Sequence, residues 1–155
     1  MSKLGAEDLK DIKETIAHTG EFRVHLIRSK SNLTLKCRMW RYDGRVIGVA
    51  NGGGYDKAGA ALGQGVELLF AEELQALKPG YEYVKVEGGA RAGSMEGGKV
   101  KEGLYGLTRL QDGKMSLDGS CGIESVCAVI RALGFTVGIY STGTGSDMVI
   151  ARRKA

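Results

Sequence analysis

Residues 35–57 read LKCRMWRYDGRVIGVANGGGYDK, two strand-like runs leading into a glycine cluster and a helix start. Two runs of alternating side chains flank Asp43-Gly44. That dipeptide is a strong hairpin signal, because both central positions of a type I′ turn need positive φ. The incoming strand is predicted over Leu33–Tyr42 and the outgoing one over Arg45–Ala50. Asn51-Gly52-Gly53-Gly54 then breaks the strand and opens a helix. Leu62, Val66, Leu69, Phe70, Leu74 and Leu77 line one side of that helix, and Pro79-Gly80 stops it. A hairpin feeding an amphipathic helix predicts an α+β domain, with helices packed on one face of a largely antiparallel sheet.

Upstream, Leu9, Ile12 and Ile16 predict an N-terminal helix over residues 3–18, ended by Gly20. A strand over Glu21–Arg28 follows, joined to the hairpin by the polar turn Ser29–Asn32. Downstream, Tyr81–Val86 reads as a strand. Residues 87–103 carry six glycines and no hydrophobic period, which predicts a flexible loop. The first pattern then recurs in a weaker form. Strands over Leu104–Leu110 and Lys114–Leu117 flank Asp112-Gly113, and the glycine cluster 118–122 opens a helix. Ile123, Val126, Cys127, Ile130 and Leu133 form its stripe, with Gly134 as C-cap. Two related hairpin, glycine-loop and helix halves are one explanation of this echo; independent solutions of one packing problem are the other. Strands over Phe135–Tyr140 and Asp147–Ala151 and a basic tail, Arg152–Lys154, complete the chain.

The 155 residues suit a single domain, 43% apolar and 26% charged. The net charge of +4 favours an anionic partner. Three cysteines without metal spacing and no secretory segment predict reduced thiols and a cytoplasmic protein. No apolar run approaches a membrane span, and no metal or cofactor is implied.

Read with period two, the second strand puts Lys36, Arg38, Trp40 and Tyr42 on one face and Leu35, Cys37 and Met39 on the other. The second set is expected to face the core. The first pairs two cations with two aromatics, a combination that suits single-stranded DNA or RNA: cations follow phosphates and flat rings stack on exposed bases. Arg23 and Arg28 on the preceding strand and Arg41 and Arg45 around the turn add local charge, and Arg91, Lys99 and Lys101 are expected to supply a mobile arm. The alternative is that Trp40 packs in a core and the basic residues form a solvated outer face.

Gly52, Gly53 and Gly54, with Lys57 behind them, could hold a phosphate at the helix start. They fit neither the P-loop nor the dinucleotide pattern, since Lys57 stands where the last glycine belongs. Val49–Gly54 resembles the Asn-then-glycine loop of macrodomains, and Ser141–Gly145 their second phosphate loop, which implies ADP-ribose binding. Macrodomains continue through a long helix and strand after that loop; ten residues follow it here. Gly119-Ser120-Cys121-Gly122 resembles the nucleophile turn of chymotrypsin-like viral cysteine proteases, but Cys121 opens a helix, and its only strand-borne histidine partner would be His25. Nothing here amounts to a catalytic site.

The Gly52–Lys57 helix start, paired with Leu117-Asp118-Gly119-Ser120-Cys121-Gly122, is similar to small bacteriophage proteins. In size, basicity and general character the chain resembles the single-stranded-DNA-binding RNA polymerase cofactor of N4-like phages. That resemblance implies a homo-oligomer that holds melted promoter DNA and recruits a polymerase. The expected function is therefore single-stranded nucleic-acid binding. A nucleotide-binding module and a host-protein inhibitor or adaptor are the alternatives.

Overall fold

The computed structural model describes residues 4–28, 37–51, 55–77, 95–96, 99–100, 107–109, 115–117, 123–141 and 147–154. In chain order the elements are α1 (Ala6–Thr19), β1 (Glu21–Arg28), β2 (Cys37–Tyr42), β3 (Arg45–Asn51), α2 (Tyr55–Leu69) and α3 (Ala71–Ala76). Then come β4 (Met95–Glu96), β5 (Lys99–Val100), β6 (Leu107–Arg109), β7 (Met115–Leu117), α4 (Ile123–Ala132), β8 (Phe135–Ser141) and β9 (Asp147–Arg153). The five long strands form one sheet in the order β3-β2-β1-β9-β8, every neighbour antiparallel. The architecture is α+β, as the hairpin-then-helix pattern predicts.

The turns follow from residue chemistry. Asp43 and Gly44 take φ of 48° and 78°, the two positive values that the hairpin turn demands. Gly20 (φ 69°) and Gly134 (φ 99°) end α1 and α4 in the left-handed region. In β1 the alternation is complete: Phe22, Val24 and Leu26 are buried, whereas Arg23 and His25 are exposed. The register carries that buried face sideways. Leu26 lies beside Trp40, Val24 beside Val149, and Phe22 beside Ala151. Helices cover it with Ile12, Ile16, Leu62, Val66, Leu69, Ile123 and Ile130. Phe70 makes edge contacts with Phe22 and Phe135, at centroid separations of 5.4 and 5.5 Å.

Helix α2 lies unusually close to the sheet. A Cβ on Gly48 would overlap the Ala61 carbonyl, and one on Gly65 would stand 2.5–2.8 Å from Ile47 side-chain atoms. Glycine within a strand often marks such an approach of another backbone. Gln64 then reaches over the β3 edge, and its Oε1 accepts the Val49 N–H at 3.1 Å.

Several expectations change. The helix predicted through Leu77 breaks at Phe70, which leaves helical geometry (φ −121°, ψ 30°) while Leu69 and Leu74 stay buried on either side. Apolar spacing survives the break, so periodicity could not reveal it. The stretch 87–103, expected as a flexible loop, contains the short antiparallel pair β4–β5. Arg152 and Arg153 are not a free tail but the end of β9. Arg153 N–H donates to Gly20 O at 2.7 Å, and its guanidinium sits 4.4 Å from the Phe135 ring centroid. The echo is present at the level of elements: β2–β3 precedes α2, β6–β7 precedes α4, and α2 packs against α4. Leu33–Lys36 and Tyr81–Val86 lie outside the described residues.

Candidate nucleic-acid interface

The face assigned to bases is the core face. Trp40 is 0% exposed, and its Nε1–H donates to the Ala58 carbonyl at 2.8 Å. Tyr42 is buried against Phe22. Neither ring can stack on a base, so the platform expected from Trp40 and Tyr42 is corrected. The cause is non-local: antiparallel pairing sets Trp40 beside Leu26, and Gly48 across from it lets α2 close over both. Met39, expected inside, alternates to the opposite face and is half-buried there.

The other predicted residues scatter. Arg38 shares the Trp40 face at the far end of β2, half-buried and paired in register with Arg28, whose side chain lies outside the described residues. Arg45 is tied to α1. Its Nη2 meets Asp11 Oδ2 at 2.7 Å and its Nη1 meets Asp8 Oδ1 at 3.6 Å. The Asp11 hydrogen bond pushes its pKa further above the usual guanidinium value. A guanidinium so engaged fastens helix to hairpin and has little left for a phosphate. Lys57 is exposed in the first turn of α2. Lys36, Gly52, Gly53, Gly54, Arg91, Lys101 and Cys121, and the Lys99 side chain, lie outside the described residues. Helix α4, which begins two residues after Cys121, packs on the helical side, whereas His25 points from the other side.

Of the predicted basic residues, Arg41 reaches an open surface, with Arg23 of β1 on the same face. It sits on the sheet face turned away from the helices, and the register there assembles a set that the β2 reading did not find. One cross-strand row runs Tyr140–Met148–His25–Arg41–Val46 over all five strands. Neighbouring rows bring Gly138, Ile150 and Arg23 together, and Thr136, Arg152 and Glu21. Ile27, Met39 and Val49 form a further row. With strands about 4.8 Å apart, Tyr140 and Arg41 stand roughly 14 Å apart along theirs.

Tyr140 is 52% exposed, and Cε2, Cζ and Oη of its ring lie over Gly138, within about 3 Å of where a Cβ would stand. Glycine there makes room for the ring. Glu21 bridges Arg23 at 3.0 Å and Arg152 at 3.3 Å, so one carboxylate is shared by two of the three arginines on this face. The Arg41 Nε finds no hydrogen-bond partner among the described residues. At one end the face opens into a groove of about 660 Å³ between α1 and the hairpin turn, where Thr15, Thr19, Arg23 and His25 meet Asp43 and Tyr42. Burial, with Asp43 and Glu21 nearby, raises the Tyr42 phenol above its ordinary pKa and keeps it protonated.

Among the described residues no group of histidines, cysteines and carboxylates is placed to hold a metal, and no helix is long and apolar enough to cross a membrane. Comparison with family models, curated proteins and solved structures finds no match.

Proposed function

We propose that this chain binds single-stranded nucleic acid, in the cytoplasm, on the open face of its sheet. The observation that supports it is the half-exposed Tyr140 ring, in one cross-strand row with His25 and Arg41 and flanked by Arg23 and Arg152. An exposed aromatic on a sheet gives a base a stacking partner, and arginines at neighbouring rows follow the backbone. Such binding is salt-dependent and largely indifferent to sequence. A polymerase-recruiting role, as in the phage cofactor, would add a protein contact to the same reading.

The test is the anisotropy of labelled oligo-dT at two salt concentrations. Stacking on one ring contributes about 1–3 kcal/mol, so Tyr140→Ala is expected to weaken binding about 5- to 150-fold. Arg41→Ala is expected to lower the salt slope by roughly 0.7. Trp40→Phe should leave affinity unchanged, because its ring is buried. Absence of binding at low salt, or equal affinity for Tyr140→Ala, defeats the proposal.

A second reading has its own observation. The strand residues of this face include Met39, Met148, Ile27, Ile150, Tyr140 and three arginines but no lysine; Lys154 follows just past the end of β9. Protein interfaces are enriched in methionine, aromatics and arginine and depleted in lysine. An adaptor or inhibitor would use the same face for a host protein. The oligonucleotide titration separates the two.

A further inference from the structure

The two edges of the sheet are finished differently. At β3, α2 overhangs and Gln64 caps an outward N–H. At β8, no described element pairs with the outer edge. Lys154 N–H donates to Gly134 O at 3.0 Å, which sets the alternation along the ladder. The Gly134 carbonyl and both backbone groups of Thr136, Gly138 and Tyr140 therefore turn towards β9. Phe135, Val137, Ile139 and Ser141 turn theirs outward. The strand has no charge, no proline and no break in register over its seven residues. Natural edges are usually blunted by one of those devices. Ile139 and Tyr140, 39% and 52% exposed, are two of the three large apolar side chains exposed among the described residues.

We propose that β8 pairs antiparallel with β8 of a second copy of this chain, joining two five-stranded sheets into one of ten strands. A dyad at Gly138 is the register in which all seven residues pair, since Gly138 is the midpoint of Phe135–Ser141. In that register Val137 opposes Ile139 of the other copy, and Phe135 opposes Ser141. These are the residues whose N–H and C=O point outward, so each opposed pair can exchange two hydrogen bonds. Apolar Val137 and Ile139 meet on the helical side of the sheet, where Ile139 is left part-exposed by its own chain. On the open side each Tyr140 reaches over its own Gly138, so the two phenols come together at the dyad. An uncharged strand suits a copy of itself, because self-pairing places no like charges opposite one another. The inference stands apart from any ligand, and the open faces of both copies remain on the same side.

Sedimentation velocity without nucleic acid tests it. The wild type is expected at twice the 16.5 kDa chain mass. Ile139→Lys, which sets a lysine against each Val137, is expected to sediment as monomer with a native circular dichroism spectrum. Thr136→Lys, at an exposed position facing Tyr140 of the other copy, gives a second route if the first variant fails to fold. Photo-oxidative coupling is expected to yield a dityrosine-linked dimer from the wild type and none from Tyr140→Phe, which should still sediment as dimer. A wild type that is monomeric at every concentration overturns the proposal, as does a dimer that survives both lysine variants.

Discussion

Trp40→Phe separates the two possible places for the lone tryptophan. The indole is fully buried, and its N–H is committed to the Ala58 carbonyl at 2.8 Å. Removing that bond costs about 1 kcal/mol net. Phenylalanine also leaves the volume of the pyrrole ring empty. A void of roughly 40 Å³, at about 24 cal/mol per Å³, adds about 1 kcal/mol, and the lost apolar burial adds more. The expected loss is therefore about 2–3 kcal/mol, a large part of a typical 5–15 kcal/mol. Urea unfolding followed by circular dichroism should show the midpoint falling by about 1–2 M at an unchanged slope. Wild-type emission should be blue-shifted and resistant to acrylamide. A variant within about 0.5 kcal/mol of wild type, or an emission maximum typical of water, would refute the burial of this ring and restore Trp40 as a surface platform.

Three further outcomes test the same packing. Gly48→Ala places a methyl on the Ala61 carbonyl, which is backbone and cannot swing aside, so it should cost about 1–3 kcal/mol or more in the same urea assay. Gln64→Ala removes the acceptor of the Val49 N–H and should cost about 1 kcal/mol, with faster hydrogen exchange at that amide. The raised Tyr42 pKa means that the folded state holds its proton more tightly than the unfolded chain does. Its contribution is complete below the unfolded value of about 10 and is lost as pH rises from there through the folded value, so Tyr42→Phe should flatten that alkaline fall in melting temperature.

Local chemistry made much of the fold legible. Asp43-Gly44, Gly20 and Gly134 each hold the positive φ that their positions require, and β1 occupies the span its flanking signals mark. Choosing the inner face of β2 was another matter. Period two sorts Lys36, Arg38, Trp40 and Tyr42 from Leu35, Cys37 and Met39, but it does not say which set goes inside. That depends on the strand beside it. Phe22, Val24 and Leu26 have an unambiguous apolar face, and carrying it across the antiparallel pair to Trp40 would have settled the choice. Gly48, inside a strand, was the second available signal. The open-face set could have been read in the same way. Thr136, Gly138 and Tyr140 alternate with Phe135, Val137 and Ile139, but only the register through β9 and β1 places Tyr140 in the row of Arg41. Arg45 shows a different limit. Its salt link joins residues 34 positions apart in sequence, which no local pattern encodes.

The same close approach of α2 decides what is left for partners. By resting on Gly48 it draws Trp40 and Tyr42 into the core, and by extending Gln64 it caps the Val49 N–H on the β3 edge. Among the described residues, the surfaces that remain unsatisfied are the face with Arg23, His25 and Arg41 and the edge at β8. These surfaces adjoin at one strand but use its two sides. Tyr140 projects onto the open face, whereas Ile139 projects to the helical side, next to the outward backbone groups. Ile139→Lys should therefore remove self-association and leave each Tyr140–Arg41 row intact, so its intrinsic affinity per chain for oligo-dT should stay within a few fold of wild type. Tyr140→Ala should do the reverse to affinity and leave the outward hydrogen bonds of β8 in place. If both variants lost nucleic acid to the same degree, the ligand would be reading the joined ten-stranded face rather than the row on one chain.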